Sequence, residues 1–257
     1  MPKISIIICC YNQLKYIRYQ IQAFEYIWKN TFKDFELIIA DDGSSDDTGV
    51  YIRERMRSGE CQVPFKMKYH WQKDIGFRAS LAKHEGVKLA EGEYIMILDG
   101  DDFPGQDTFI HYLERIDKVP KWIKHQIGFM GVRWRIDKEC TEQPYSYDNL
   151  HRFVTKSEDW RGKICNIPPA MTNHFSGSNF LVPAETFKKI GWPIHTGFGF
   201  DDWIFSAKFV AQGGKFIAVN DAVSFHVDHP NNPPGKKAGE NWIKLKKEIN
   251  KFNEQFE

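Results

Sequence analysis

The sequence lacks the features that would mark a disulfide-stabilised, zinc-binding, nucleic-acid-binding or membrane-spanning protein. Its five cysteines among 257 residues form no CxxC pair and no Cys/His zinc spacing, which favours reduced thiols. Lys plus Arg number 35 against 34 Asp plus Glu, so the net charge of +1 offers no general attraction for nucleic acid or anionic lipid. The first apolar run is too short to span a bilayer and has no signal-peptide cleavage pattern. We therefore expect a cytoplasmic protein with no nucleic-acid partner.

Apolar patterning predicts an α/β fold. The runs Ile4 to Cys9 and Phe35 to Ala40 are nearly continuous in apolar residues, as in strands buried on both faces of a parallel sheet. Between them, Leu14 to Trp28 repeats apolar residues at three- and four-residue steps, which indicates a helix. Strands and helices continue to alternate to about residue 105. This order predicts a doubly wound, mainly parallel sheet flanked by helices, within a single domain over residues 1–257.

Two acidic clusters follow predicted buried strands, at the sheet edge where α/β proteins bind ligands. The first runs from Asp41 to Asp46, and the second, Asp99-Gly100-Asp101-Asp102, places three carboxylates within four residues. Crowded carboxylates repel one another unless a cation lies between them. Oxygen ligands suit Mg²⁺ or Mn²⁺, which would bridge to a diphosphate. The alternatives are a turn with a helix cap for the first cluster and a metal-free acidic loop for the second.

Three separated motifs resemble the family 2 glycosyltransferases, which have the GT-A fold. The matching segments are ISIIICCYNQ, FELIIADDGSSDDT and GEYIMILDGDD, and the resemblance covers roughly residues 3–110. Agreement of three motifs in order is more specific than a single match. The resemblance implies a nucleotide-sugar-binding half over residues 1–105 and an acceptor-binding half over residues 106–240. Residues 241–257 would add a C-terminal amphipathic helix.

The same resemblance implies roles for individual residues of the first half. Asp42 would bind the uracil or an equivalent base, with Tyr11 beside it. Asp99 and Asp101 would form the DxD pair, with Asp101 as the main metal ligand. Arg78 lies in a segment similar to the family's GFR sequence and would face the diphosphate as a fixed cation. The alternative for Arg78 is an exposed side chain at the start of a helix.

The second half resembles galactosyl- and N-acetylgalactosaminyl-transferring relatives. Their GWGGED-type motif corresponds here to GFGFDD, in which Phe200 replaces a glycine. The resemblance implies that Asp202 is the general base that takes the proton of the acceptor hydroxyl. Asp201 would bind the acceptor by hydrogen bonds and Trp203 would stack on a sugar ring. Asp201 and Asp202 can also cap the following helix, and the two roles are compatible.

Two further features leave alternatives open. Relatives use a histidine as an additional metal ligand near a Pro/Gly loop, and His226 fits this position better than His229. An imidazole ligand favours Mn²⁺ over Mg²⁺, although both histidines can also be structural. The segment from Trp242 to Phe256 is amphipathic and lysine-rich. It either docks on the body of the protein or makes peripheral contact with the inner face of a membrane.

Where relatives often have Arg-Asn, this chain has Lys83-His84, and neither residue is assigned a role. The leading hypothesis is a metal-dependent inverting glycosyltransferase that uses Mn²⁺ or Mg²⁺. It would transfer a hexose or N-acetylhexosamine from a UDP-sugar to a glycan or lipid-linked acceptor, in polysaccharide or glycoconjugate synthesis. The alternatives are a sugar nucleotidyltransferase, whose Gly-rich phosphate loop is missing after the first strand, and a catalytically silent binding module. No feature of the sequence indicates the oligomeric state.

Overall fold

The computed structural model describes residues 2–57, 62–158 and 177–228, together with Ile243. The strands within these residues are β1 Ile4–Cys10, β2 Phe35–Asp41, β3 Lys66–Trp71, β4 Tyr94–Asp99, β5 Asp102–Pro104, β6 Ile127–Ile136, β7 Val154–Glu158, β8 Phe180–Pro183 and β9 Lys215–Val227. The α-helices are α1 Leu14–Asn30, α2 Thr48–Met56, α3 Ala79–Leu89, α4 Thr108–Asp117, α5 Tyr147–Arg152, α6 Ala184–Ile190 and α7 Asp201–Ala211. Short 3₁₀ helices span Lys121–Gln126 and Lys138–Glu142.

These strands form one mixed sheet in the order β3-β2-β1-β4-β8-β6-β9-β5, with β7 paired to β6. The first four strands are parallel, as the sequence predicts. Strand β8 then pairs antiparallel with β4 and carries the sheet into the second half of the chain. The α/β class is confirmed, and the sheet continues across the predicted boundary between the donor and acceptor halves.

Helices cover both faces of the parallel strands, which explains their unbroken apolar sequences. Every residue of β1 and β2 is buried. Side chains alternate between the faces, so Ile6 packs with the apolar stripes of α1 and α4, whereas Ile7 packs with residues of α3, α6 and α7. The amphipathic helix predicted from Leu14 is confirmed as α1. Burial on both faces thus fixes the position of the strand ends relative to helices from both halves of the chain.

Parallel register brings the predicted site residues to one edge of the sheet. Cys10 at the end of β1 pairs with Asp41, and Cys9 pairs with Asp99. Gln20 of α1 is fully buried, and its Nε2 donates to the backbone oxygens of Asp99 at 2.9 Å and Asp102 at 2.7 Å. One side chain on the helix therefore holds the acidic turn between β4 and β5.

Two predictions for the C-terminal part of the chain fall outside the described residues. They concern His229 and, apart from Ile243, the amphipathic segment from Trp242 to Phe256. A membrane-spanning helix needs about 20 predominantly apolar residues. None of the helices in residues 2–57, 62–158 and 177–228 combines the necessary length and apolarity.

Helix α7 begins at Asp201, so Asp201 and Asp202 both lie in its first turn.

Candidate active site

The ends of β1 and β2 carry the residues predicted to bind the nucleotide base. Asp42 is buried, and its two oxygens accept hydrogen bonds from Gln72 Nε2 at 2.5 Å and from the backbone N–H of Arg78 at 2.7 Å. Burial raises the pKa of Asp42 even though these hydrogen bonds favour its ionised form. Tyr11 is exposed, and its hydroxyl donates to Asp74 Oδ2 at 3.0 Å. Tyr11 and Asp42 thus lie on adjacent strand ends, and base binding by them stays a prediction.

Arg78 supports Asp42 through its backbone. Its guanidinium Nη2 donates to the backbone oxygen of Lys73. In this conformation the side chain is held on its own loop, so the predicted contact with a diphosphate stays a prediction.

The acidic turn after β4 brings the two predicted metal ligands together. Strand β5 pairs antiparallel with β9, and Asp102 lies opposite His226. The backbone N–H of Val227 donates to the backbone oxygen of Asp101 at 3.0 Å. Asp101 Oδ1 and His226 Nδ1 are consequently 3.6 Å apart, and the two residues are only 8% and 9% exposed. The pairing explains why residues far apart in sequence share one site.

This pair has the chemistry of a divalent-cation site. Two ligands at ~2.1 Å from one octahedral ion lie roughly 3 Å apart, so the observed separation needs only a small adjustment. A carboxylate with an imidazole suits Mn²⁺. Within the described residues no group of three or more His, Cys, Asp or Glu is arranged to hold a metal. Among the described residues, Asp101 and His226 are therefore the pair that would hold a cation, and a bound diphosphate and water would add further ligands.

Lys83 of α3 joins the acidic turn after β4 to the start of α7. Its Nζ is 3.3 Å from Asp99 Oδ1 and 3.7 Å from Asp201 Oδ2, and it lies over the Trp192 ring at 5.4 Å from the centroid. Lys83 is 8% exposed. Burial alone would lower the pKa of Lys83, but Asp99 and Asp201 outweigh this effect and the pKa is raised. Lys83 therefore stays charged between two carboxylates.

Arg133 of β6 supplies a second cation to the acidic turn. Its Nη1 is 3.6 Å from Asp99 Oδ2 and 3.8 Å from Asp102 Oδ2. Burial would raise the pKa of Asp99, but the charges of Lys83 and Arg133 outweigh it and the pKa is lowered. For the fully buried Asp102, burial dominates and the pKa is raised despite Arg133. No sequence signal singles out Arg133, since the same strand carries a second arginine, Arg135.

The two carboxyl groups that begin α7 have different surroundings. Asp201 Oδ2 accepts a hydrogen bond from Trp192 Nε1 at 3.0 Å. Asp202 Oδ1 accepts one from the backbone N–H of Trp203 at 2.9 Å. Burial and the adjacent Asp201 raise the pKa of Asp202 to about 7, against the opposing charge of Lys83. A carboxyl group with such a pKa is suited to act as a base near neutral pH.

Gly177 and Ser178, just before β8, connect the acidic turn to the start of α7. Ser178 Oγ donates to Asp102 Oδ2 at 2.5 Å and accepts from the backbone N–H of Asp99 at 3.1 Å. The preceding residue is Gly177, where an added Cβ would lie 2.9 Å from Cβ of Asp202. The acidic turn and the candidate base are thus both in contact with one short segment.

Comparison with known proteins identifies the family. The model for glycosyl transferase family 2 matches residues 5–190. The chain belongs to this family. The three sequence motifs predict this membership.

Two relatives match most of the chain. The chondroitin synthase of Escherichia coli is 25% identical over 262 residues, which cover 91% of this chain and 35% of the relative. The glycosyltransferase GlyG of Streptococcus pneumoniae is 26% identical over 230 residues, covering 85% of this chain and 68% of GlyG. This chain therefore spans about a third of the length of the chondroitin synthase that it matches.

A solved structure confirms the GT-A fold. Residues 1–349 of S. aureus TarS, in complex with UDP-GlcNAc, match with a TM-score of 0.70. The match covers 96% of this chain and 66% of the TarS chain at 16% identity. Identity at this level supports the fold and leaves the substrate to be argued from the site.

The loop before Asp201 holds a non-glycine residue in a strained conformation. Gly197 and Gly199 both have φ of 88°, and Phe200 has φ of 73°. The left-handed region costs a residue with a side chain about 1–2 kcal/mol. The Phe200 ring contacts Trp203 edge to face, with centroids 5.2 Å apart. Phe200 replaces a glycine of the resembling motif. Its strained backbone therefore lies directly before Asp201, the first residue of α7.

We predict that Phe200→Gly is more stable than Phe200→Ala by roughly 0.5–1 kcal/mol. Both variants lose the ring contact with Trp203, but only glycine adopts the positive φ without strain. Urea unfolding midpoints at equal slope measure the difference. Ala207→Gly, within α7, is the control and should show the usual destabilisation by glycine. An alanine variant as stable as the glycine variant would show that position 200 is unstrained.

Proposed function

We propose that this chain is a metal-dependent inverting glycosyltransferase with a UDP-sugar donor. It transfers a hexose or N-acetylhexosamine to a hydroxyl of a glycan or lipid-linked acceptor. The observation that carries the proposal is the convergence of Asp101, His226, Lys83 and Asp202 at the carboxyl edge of one sheet. This edge is where ligands bind in open α/β sheets.

The donor class is supported by the fold and by the nucleotide-facing residues. TarS, which shares the fold, was solved with UDP-GlcNAc. In this chain Tyr11 offers an exposed aromatic ring at the end of β1, next to the buried carboxylate of Asp42. An aromatic face and a hydrogen-bond acceptor together suit a pyrimidine base.

The acceptor class is supported by the relatives. One relative is a chondroitin synthase, which favours an acceptor that is a growing glycan. We therefore propose a role in polysaccharide or glycoconjugate synthesis. UDP-N-acetylglucosamine, UDP-N-acetylgalactosamine and UDP-galactose are the first donors to test.

The charge of the site supports a requirement for a divalent cation. Five carboxyl groups share the site with only two permanently charged cations, Lys83 and Arg133, among the described residues. The carboxyl groups are those of Asp99, Asp101, Asp102, Asp201 and Asp202. A donor diphosphate adds further negative charge, which this cluster would repel. A divalent ion held by Asp101 and His226 would neutralise the departing diphosphate.

Asp202 is the proposed general base. The acceptor oxygen forms a bond to the anomeric carbon while the bond from that carbon to the diphosphate oxygen breaks. Asp202 takes the proton from the acceptor hydroxyl in the same step. One displacement of this kind inverts the anomeric configuration and needs no covalent enzyme intermediate. The raised pKa of Asp202 matches this role, because the carboxylate must hold the proton that it receives.

We expect Asp101→Ala to abolish Mn²⁺-dependent binding of UDP, because the diphosphate would meet the remaining carboxylates without the cation. Calorimetric titration of UDP with and without Mn²⁺ measures this. His226→Ala should raise the Mn²⁺ concentration needed for half-maximal UDP binding. The exposed Asp117 offers a matched control, and Asp117→Ala should bind UDP as the wild type does. Full sugar transfer in excess EDTA would contradict the metal requirement.

We expect Asp202→Asn to lower kcat by ~10²- to 10⁴-fold while UDP affinity changes little, since the amide cannot accept the proton. For the wild type, kcat/KM should fall as the pH drops below about 7, where Asp202 becomes protonated. Initial rates of UDP release across pH test both statements. Asp221→Asn, at an exposed position of β9, is the control. Near wild-type transfer by Asp202→Asn, or loss of UDP binding, would move the role of base to another residue.

A further inference from the structure

We propose that Lys83 is a positioning residue of the glycosyl-transfer reaction: it holds Asp201, and with it the start of α7, against the turn after β4, so that Asp202 is placed to receive the acceptor's proton. The proposal rests on the proposed function, because it assigns a partner to the base named there. It concerns a residue to which the sequence motifs assign no role.

The contacts of Asp201 support the first part of the proposal. Two donors converge on the same oxygen, Asp201 Oδ2: the indole Nε1 of Trp192 at 3.0 Å and the ammonium of Lys83 at 3.7 Å. Both contacts hold Asp201 Oδ2 in place between Trp192 and α3. Asp201 thereby anchors the start of α7, next to the proposed base Asp202.

Trp192 is itself fixed by the residue after Lys83. The Nδ1 atom of His84 is 2.9 Å from the backbone oxygen of Trp192. The ammonium of Lys83 lies over the ring of the same tryptophan. The Lys83-His84 pair on α3 thus anchors Trp192, and Trp192 orients Asp201. This arrangement gives a structural reason for both residues that replace the Arg-Asn of relatives.

The charges around Asp202 connect this anchoring to catalysis. Asp201 precedes Asp202 on α7, Lys83 approaches from α3, Asp99 from β4, and the backbone N–H of Trp203 donates to Asp202. Burial and Asp201 raise the pKa of Asp202 most strongly, and Lys83 opposes them. The anchoring of Asp201 beside Lys83 therefore also fixes how both charges act on Asp202. Lys83 limits the rise in pKa, so that Asp202 is still ionised near neutral pH.

Lys83 also holds the turn after β4, where the donor would bind, close to the helix that carries the proposed base. Its Nζ is 3.3 Å from Asp99 on the donor side and 3.7 Å from Asp201 on the acceptor side. Without the ammonium, two carboxylates would face each other in a largely buried space and repel. The start of α7 and the turn after β4 would then move apart.

Opposite shifts in the pH profile test the proposal. Lys83→Met removes a cation near Asp202, so the acid limb of kcat/KM should move to higher pH by about one unit, a roughly tenfold loss of rate below it. Asp201→Asn removes an anion next to Asp202 and should move the limb to lower pH. Lys83→Arg keeps the charge and should leave the limb near its wild-type position. UDP release from UDP-GlcNAc, UDP-GalNAc and UDP-galactose at saturating Mn²⁺ is the assay, so that protonation of His226 does not set the limb.

Controls separate this proposal from the assignment of the base. Lys88→Met makes the same change at an exposed position of α3 and should leave the profile unaltered. An acid limb that stays in place in both Lys83→Met and Asp201→Asn, or moves in the same direction in both, overturns the role of Lys83. If one of the two variants fails to fold, the direction of the other still decides. Persistence of the wild-type limb in Asp202→Asn would instead refute the base, and absence of turnover by the wild type would refute the proposed function.

Discussion

The site depends on the compensation of crowded carboxyl groups by two buried or half-buried cations. Lys83 lies between Asp99 and Asp201, and Arg133 lies between Asp99 and Asp102. Removing a carboxylate from water is costly unless a cation or hydrogen-bond donors replace the solvent. The compensation is incomplete, because the carboxyl groups outnumber these cations. This imbalance is the basis of the proposal that the site binds a divalent ion together with a diphosphate.

The continuous sheet gives this cluster its rigidity. Strand β8 pairs with β4, so Ser178 at its start reaches both Asp99 and Asp102. Strand β5 pairs with β9, which delivers His226 to Asp101. Asp99, Asp102 and His226 are consequently fixed to one sheet, and Lys83 connects the start of α7 to the same strand end. The strained φ of Phe200, directly before Asp201, is maintained within the same framework.

The sequence predicted the parts of the site that are local in the chain. Apolar runs identified β1 and β2, and motifs placed Asp99 and Asp101 at a strand end, because strand burial and turn chemistry are encoded by neighbouring residues. The roles of Lys83 and Arg133 depend on contacts between elements distant in sequence, which no spacing rule reveals. The raised pKa of Asp202 likewise depends on burial by distant elements, and the charge of Lys83 on another helix opposes the rise. The antiparallel strands of the second half, and with them the approach of His226 to Asp101, also required the structure.

The proposed reaction is a direct displacement in which Asp202 takes the proton of the acceptor hydroxyl. It is tested by the anomeric configuration of the first product formed from an α-linked UDP-sugar, read by proton NMR before mutarotation. We expect a β-configured product, since a single displacement inverts the anomeric carbon. An α-configured product would contradict it, because retention requires either a second displacement or attack from the face of the departing diphosphate.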